Sequence, residues 1–351
     1  MVLSGPPCFA AEPQEDDLAG MEGQFELFAD ARLRGDFVRD LPRPVNSDFD
    51  RGSVRLRAGV LWMPHPAVDI GLAGRVNTGT DGNGHTRFNL DNQKVDEIAL
   101  DEFFVTVRLL DSTELLAGQS RFPLQLTPML WDPDLRPQGV SLRQRFEFAT
   151  FNSVELTGGY FLGNHLYGDE SKVRAAQATL RIGEGKAVNY RAAVSWIEFD
   201  DLDTLAREGL GRTNAVVPGD GYANDFDLLD IQLEAGFTVY DWPVRMRLDF
   251  VQNVAADEDG FAGRGDLVIG DSFRRPGLEA GIAHQRVQRE AVLAAFADDD
   301  WWFRSRMRGT GVWLGYGFNE SLRVRLAGFS ERLDVASERN YRGLVDFEWF
   351  F

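Results

Sequence analysis

The last eleven residues, YRGLVDFEWFF, alternate strictly. Tyr341, Gly343, Val345, Phe347, Trp349 and Phe351 form one set; Arg342, Leu344, Asp346, Glu348 and Phe350 form the other. Period-two alternation places the first set on one face of a strand and the mostly polar set on the opposite face. Such a strand can be the amphipathic edge of a soluble sheet, or it can turn its aromatic face to lipid. A long aromatic-faced strand at a chain end is an aggregation hazard in water, which favours lipid.

The same dyad recurs along the chain. Residues 24–37 set Phe25, Leu27, Ala29, Ala31 and Leu33 against Glu26, Phe28, Asp30, Arg32 and Arg34. Segments 54–63, 68–77, 188–198, 229–239 and 244–250 repeat it. A helix would space its apolar residues by three and four, and these segments do not. The chain is therefore all-β.

The connections separate a soluble sandwich from a barrel. Short links are expected at 64–66, 110–112, 149–153, 183–187, 240–243, 274–277 and 318–320. Long links are expected at 38–52, 78–97, 123–139, 163–172, 199–227, 254–264, 289–304 and 331–339. Long and short alternate without a break, giving about sixteen antiparallel strands with both ends on the short-link side. The even count rests on 265–273, where alternation is thinnest. This is the layout of a transmembrane β-barrel with short periplasmic turns and long extracellular loops.

A final strand closing on a terminal phenylalanine resembles the C-terminal signal of bacterial outer-membrane β-barrels. Aromatic girdles agree with a membrane setting. Trp62, Phe148, Phe151, Tyr240, Trp242, Tyr316, Phe318, Trp349 and Phe351 fall beside short links or at the chain end. Phe37, Trp196, Phe199, Phe250 and Phe329 fall at the opposite strand ends. Residues 1–21 read as the remainder of a secretory signal and tail, because Cys8, Phe9 and Ala10 stand where a signal peptidase cleaves and acidic sequence follows. Residues 22–351 read as the barrel.

Two segments carry a family resemblance: WDPDLRPQG at 131–139 and REAVLAAFADDDWW at 289–302. Both are similar to segments of the bacterial outer-membrane "putative porin" family. The resemblance implies a porin, a water-filled channel for passive diffusion of small hydrophilic solutes or ions. The chain departs from the family at Trp301 and Trp302, where a smaller or more polar pair is expected.

A barrel of this size is wide enough for an aqueous lumen, and the inward sets are polar. Among 37 basic residues only Lys94, Lys172 and Lys186 are lysines, so arginine dominates the wall. The expected pore-lining cations are Arg32, Arg34, Arg55, Arg57, Arg75, Arg143, Arg145, Arg181, Arg191, Arg245, Arg247, Arg323 and Arg325. Their inward acidic counterparts are Glu26, Asp30, Asp69, Glu147, Asp230, Glu234 and Asp249. Opposed rows of the two signs would set a field across the pore; alternatively, adjacent pairs merely brace the wall.

The 123–139 link is rich in proline and apolar residues, which suits a packed segment. Either it folds into the lumen with Trp131, Asp132, Asp134 and Arg136 at a constriction, or it caps a subunit contact.

The formal charge of −18 argues against nucleic acid as a partner. Much of it falls in the long links, as in Asp257–Asp259 and Asp298–Asp300, which read as solvated surface. The expected surroundings are outer-membrane lipid and lipopolysaccharide, and the size class suggests a homotrimer. No cofactor or metal is expected: one cysteine excludes a Cys-rich zinc site, and DGNGH at 81–85 lacks the closing glutamate of a calcium loop, position twelve being Asn92.

An enzyme is not expected. No GxSxG elbow occurs, and the four histidines are His65, His85, His165 and His284, with His165 and Asp169 the remote candidate for a rim pair. The alternative to a porin is a barrel with a plugged lumen, acting as a hydrolase or in structural or adhesive interaction.

Overall fold

The computed structural model describes residues 24–41, 48–80, 96–163, 171–273 and 277–351. The signal expected at 1–21, the DGNGH stretch, His85, His165 and Asp169 lie outside the described residues.

The barrel strands begin with β1 (Gln24–Arg39), β2 (Phe49–His65), β3 (Val68–Gly79), β4 (Glu97–Leu110) and β5 (Thr113–Gln119). They continue with β6 (Gln138–Ala149), β7 (Asn152–Leu162), β8 (Lys172–Ile182) and β9 (Val188–Asp200). A small hairpin, β10 (Val216–Val217) and β11 (Gly221–Tyr222), stands within the next long link. The barrel resumes with β12 (Phe226–Val239), β13 (Trp242–Asn253), β14 (Phe261–Gly270) and β15 (Gly277–Val287). It ends with β16 (Met307–Gly317), β17 (Leu322–Leu333) and β18 (Asn340–Phe350). Each barrel strand pairs with its neighbours in sequence, and β1 pairs with β18, so sixteen strands close with no free edge. Closure removes the unpaired edge that made the terminal strand a hazard. At the seam Leu33 lies opposite Phe347, and the Phe351 N–H donates to the Ala29 carbonyl at 2.9 Å.

Tight turns fall at 66–67, 111–112, 150–151 and 240–241, and long links at the other end, as the alternation required. Alternate residues face outward as an apolar belt: Leu56, Leu72, Leu142, Leu233, Leu248 and Val312 are all about half exposed, between 47 % and 50 %. In a membrane barrel this belt meets acyl chains.

Three details differ from the sequence reading. The strand expected at 265–273 runs over Phe261–Gly270, because Gly263 and Gly265 hide the alternation of Ala262, Arg264 and Asp266. Phe199 and Phe329 are not girdle residues: both are buried, at 4 % and 7 % exposure, within the barrel. Finally, the lumen holds a hydrophobic core. Its members come from inner strand ends (Phe161, Ile197, Phe226, Met307) and from two long links, 120–137 and 288–306, that fold inward.

Candidate functional site

The first inward loop, 120–137, crosses the lumen. Its Gln125 N–H donates to Gln177 Oε1 at 3.0 Å, while Gln177 and Gln232 amides donate to the Gln125 carbonyl, each at 3.0 Å. Thr127 donates to Asp249 on β13. The chain then returns to the opposite wall, where Arg55 Nη1 donates to Asp134 Oδ1 at 2.6 Å and Arg32 Nη2 to Asp134 Oδ2 at 3.4 Å. Arg136 Nε donates to Glu102 at 2.9 Å. The link therefore packs inward, hydrogen-bonded to wall residues on both sides of the barrel.

The second inward loop, 288–306, packs against the first. The Asp132 N–H donates to the Phe296 carbonyl at 2.7 Å, and the Asp298 N–H to the Pro128 carbonyl at 3.0 Å. Trp131 lies 5.2 Å from Phe296, ring to ring, and Phe199 lies 5.3 Å from it. Residues Ala291–Ala297 are almost wholly buried. Asn214, from the link that carries β10 and β11, braces this segment by donating to the Arg289 and Val292 carbonyls at 2.6 and 2.9 Å. The Glu331 carboxylate on β17 accepts the Trp302 and Phe303 N–H groups at 2.9 and 3.0 Å. Trp301 fits a bare stretch of wall: a Cβ at Gly309 would stand 2.8 Å from its ring. That vacancy explains why a large residue is accommodated where a smaller one was expected.

Asp298–Asp300 therefore do not form solvated outer surface. Asp300 bridges Arg34 at 2.7 Å and Arg325 at 3.4 Å, and Arg342 donates to the Asp299 and Asp300 carbonyls. Asp257, Glu258 and Asp259 do remain exposed.

Register explains the charge pattern. Arg32 lies directly opposite Arg55, and Arg57 directly opposite Arg75. Facing like charges destabilise a sheet, so carboxylates from elsewhere are required. Asp134 supplies one from the loop. Asp30 takes Arg57 at 2.6 Å, and Asp101 takes Arg75 at 3.3 Å. A β-bulge between β3 and β4 turns both Asp101 and Glu102 inward, at 2 % and 9 % exposure, where strict alternation would separate them. Asp101, Glu102 and Asp300 were absent from the sequence-derived site: the bulge breaks the period, and nothing local to 298–300 shows that the loop folds in.

The other expected wall residues face inward but fall into two groups. Arg143 pairs with Glu114 at 3.3 Å, Arg145 with Glu147 at 3.5 Å, and Arg181 with Glu155 at 3.4 Å. Asp69 pairs with Arg108, and Arg191 with Glu234 at 3.3 Å. Glu26 is exposed at the turn end, and Arg245 shares the inner face with Arg247. In contrast, Asp230 and Asp249 are 0 % exposed and Arg247 and Arg323 3 %, so they are sealed beneath other groups. Arg121, 47 % exposed and 3.7 Å from Glu102, is an open lumen cation that the sequence reading missed.

Burial opposes ionisation of the loop carboxyls, and the neighbours decide the result. Arg55, Arg32 and Arg136 overcome burial to hold Asp134 well below the usual range. Arg34, Arg325 and Arg342 do the same for Asp300. Asp132 has no such surplus: burial, Asp299 and Asp298 push it well up. Burial, Asp300 and Asp299 push Asp298 up to about 6.

Among described histidines, His65 sits in a tight turn, accepting the Ala67 N–H at 3.1 Å. His284 lies on the outer face, 2.9 Å from Thr310 Oγ1.

No family model and no curated protein matches the chain. Solved structures match its fold. Pseudomonas putida OprB, in its high-pH structure, shares 12 % identity at a TM-score of 0.60, covering 94 % of each chain. OmpF of Salmonella typhi, solved in complex with daunomycin, shares 11 % identity at a TM-score of 0.57, over 93 % of this chain and 97 % of that one. A loop-deletion mutant of OmpT, an outer membrane protein of Vibrio cholerae, shares 12 % identity at 0.54, over 94 % and 99 %. The chain is thus a closed barrel of the outer-membrane type.

Proposed function

We propose that this chain is a bacterial outer-membrane porin whose lumen is narrowed by two inward loops and passes small hydrophilic solutes or ions by diffusion. The observation that carries the reading is the charged girdle in which Asp134, delivered by a loop, stands between Arg32 and Arg55 on the wall. Their side chains keep 17–23 % exposure, so the cluster touches free space. A sixteen-stranded barrel leaves room for water, and guanidinium and carboxylate groups on facing sides favour polar solutes. The chemistry assigned is binding and passage, with no catalytic step.

The apolar core formed by 124–135 and 291–303 favours a second reading, a lumen closed by its own loops. Refolded protein in a planar bilayer separates the two. Stable conductance steps support the channel, and steps in threes support the homotrimer. A folded barrel that stays silent supports the closed lumen.

A further inference from the structure

The outer belt is apolar around most of the barrel, but not at the loop end of β15, β16 and β17. Register sets Arg286 opposite Arg308, and Arg308 opposite Arg332. Their sequence neighbours Gln285, Val287, Met307 and Glu331 are buried inside, so strand alternation turns all three arginines outward. The Arg286 and Arg308 side chains are 64 % and 40 % exposed.

Three guanidiniums in direct register repel one another unless an anion lies between them. Among the described residues the carboxylate in range is Asp334, 3.8 Å from Arg286 and 3.9 Å from Arg308. One carboxylate cannot neutralise three cations. The next outward row toward the turns is small and hydrogen-bonding: His284 opposite Thr310, and Thr310 opposite Ser330. Below it the surface becomes apolar again, and a groove of about 620 Å³ runs from Leu180 past Ala235 and Gly265 to Ile282 and His284.

We propose that Arg286, Arg308 and Arg332 bind the phosphate groups of a membrane lipid headgroup. Thr310, Ser330 and His284 hydrogen-bond that headgroup, and the groove takes an acyl chain. Guanidinium forks match phosphate oxygens in geometry and charge. The row lies at the long-loop rim, where the porin reading places the outer leaflet, so lipopolysaccharide is the occupant; the proposal rests on that reading for its orientation. Nothing in the row lines the lumen.

The test titrates lipopolysaccharide into detergent-solubilised, full-length barrel and follows the unfolding temperature and the bound lipid by native mass spectrometry. Wild type is expected to bind and gain stability. The triple variant Arg286→Gln, Arg308→Gln, Arg332→Gln is expected to bind at least tenfold more weakly, and Arg308→Gln alone to fall between. Dephosphorylated lipopolysaccharide is expected to bind the wild type as weakly as intact lipid binds the triple variant. Equal binding by wild type and variant overturns the proposal. So does full occupancy by inorganic phosphate at matched phosphate concentration, which would make the row a free-anion site. Loss of an oligomer in the triple variant with lipid binding unchanged also overturns it, because the row would then meet a second copy. Conductance of the variant, read separately, is expected to equal that of wild type; a silent wild-type barrel that still binds lipid contradicts the porin reading and not this one.

Discussion

Arg55 and Asp134 are 79 residues apart in sequence and meet at 2.6 Å in the lumen, one on the wall of β2 and one on a loop that has crossed the barrel. The contact joins a packing fact to an electrostatic one. The loop is held inward by its apolar residues, and the carboxylate it delivers relieves the repulsion between Arg32 and Arg55.

Replacing Asp134 by Asn removes that relief. Breaking a buried ion pair costs up to about 5 kcal/mol; with about a fifth of the side chains exposed, the expected loss is about 1–3 kcal/mol. The pore should become more anion-selective, read as a shift of the reversal potential in a salt gradient. An unchanged reversal potential would show that Asp134 lies off the solute path.

The second inward loop depends on Phe296, which is fully buried between Trp131 and Phe199. Phe296→Ala should cost about 3–5 kcal/mol, the usual loss for deleting a buried aromatic ring. Open-channel noise should rise with it, since the segment 291–297 loses its anchor. A quiet channel of wild-type stability contradicts this packing.

Glu331 acts as a latch, because its carboxylate takes the N–H groups of both Trp302 and Phe303. Glu331→Ala leaves two buried donors unpaired, at about 1–3 kcal/mol for each such group. Limited proteolysis of the folded barrel should then cut within 288–306 faster than in wild type. Equal cutting rates would argue against the latch.

Acidification offers a test through Asp298. Its folded value, pushed up to about 6, lies above the unfolded one, so the native state takes up a proton first as pH falls. The charged form destabilises the native loop above that value; between about pH 6 and 4 stability from this group rises as pH falls. Asp134 and Asp300 are shifted the other way and stay ionised through that window. From pH 7 to 5 the lumen therefore loses negative charge, and selectivity should move toward anions. Asp298→Asn should reduce that shift; an undiminished shift assigns it elsewhere.

The barrel itself was legible because its two governing signals are periodic and local. Alternation in segments such as 54–63 and 229–239 identifies strands whatever surrounds them, and the sorting of long from short links identifies a barrel. What the lumen contains was not legible. Asp298–Asp300 look the same in sequence whether a loop faces water or folds inward, and only the apolar run 291–297 before them hints at burial. Strict alternation also separates Asp101 from Glu102, whereas one bulge turns both inward. Phe199 and Phe329 were misplaced for a related reason: near a filled lumen, an aromatic at a strand end can pack inward as well as anchor outward.

Single-channel recording of the refolded protein under a salt gradient decides whether the lumen conducts. Discrete, stable conductance steps are expected, with a reversal potential that moves when Asp134 is neutralised. A verified, folded barrel that passes no current at any applied voltage would contradict the porin reading.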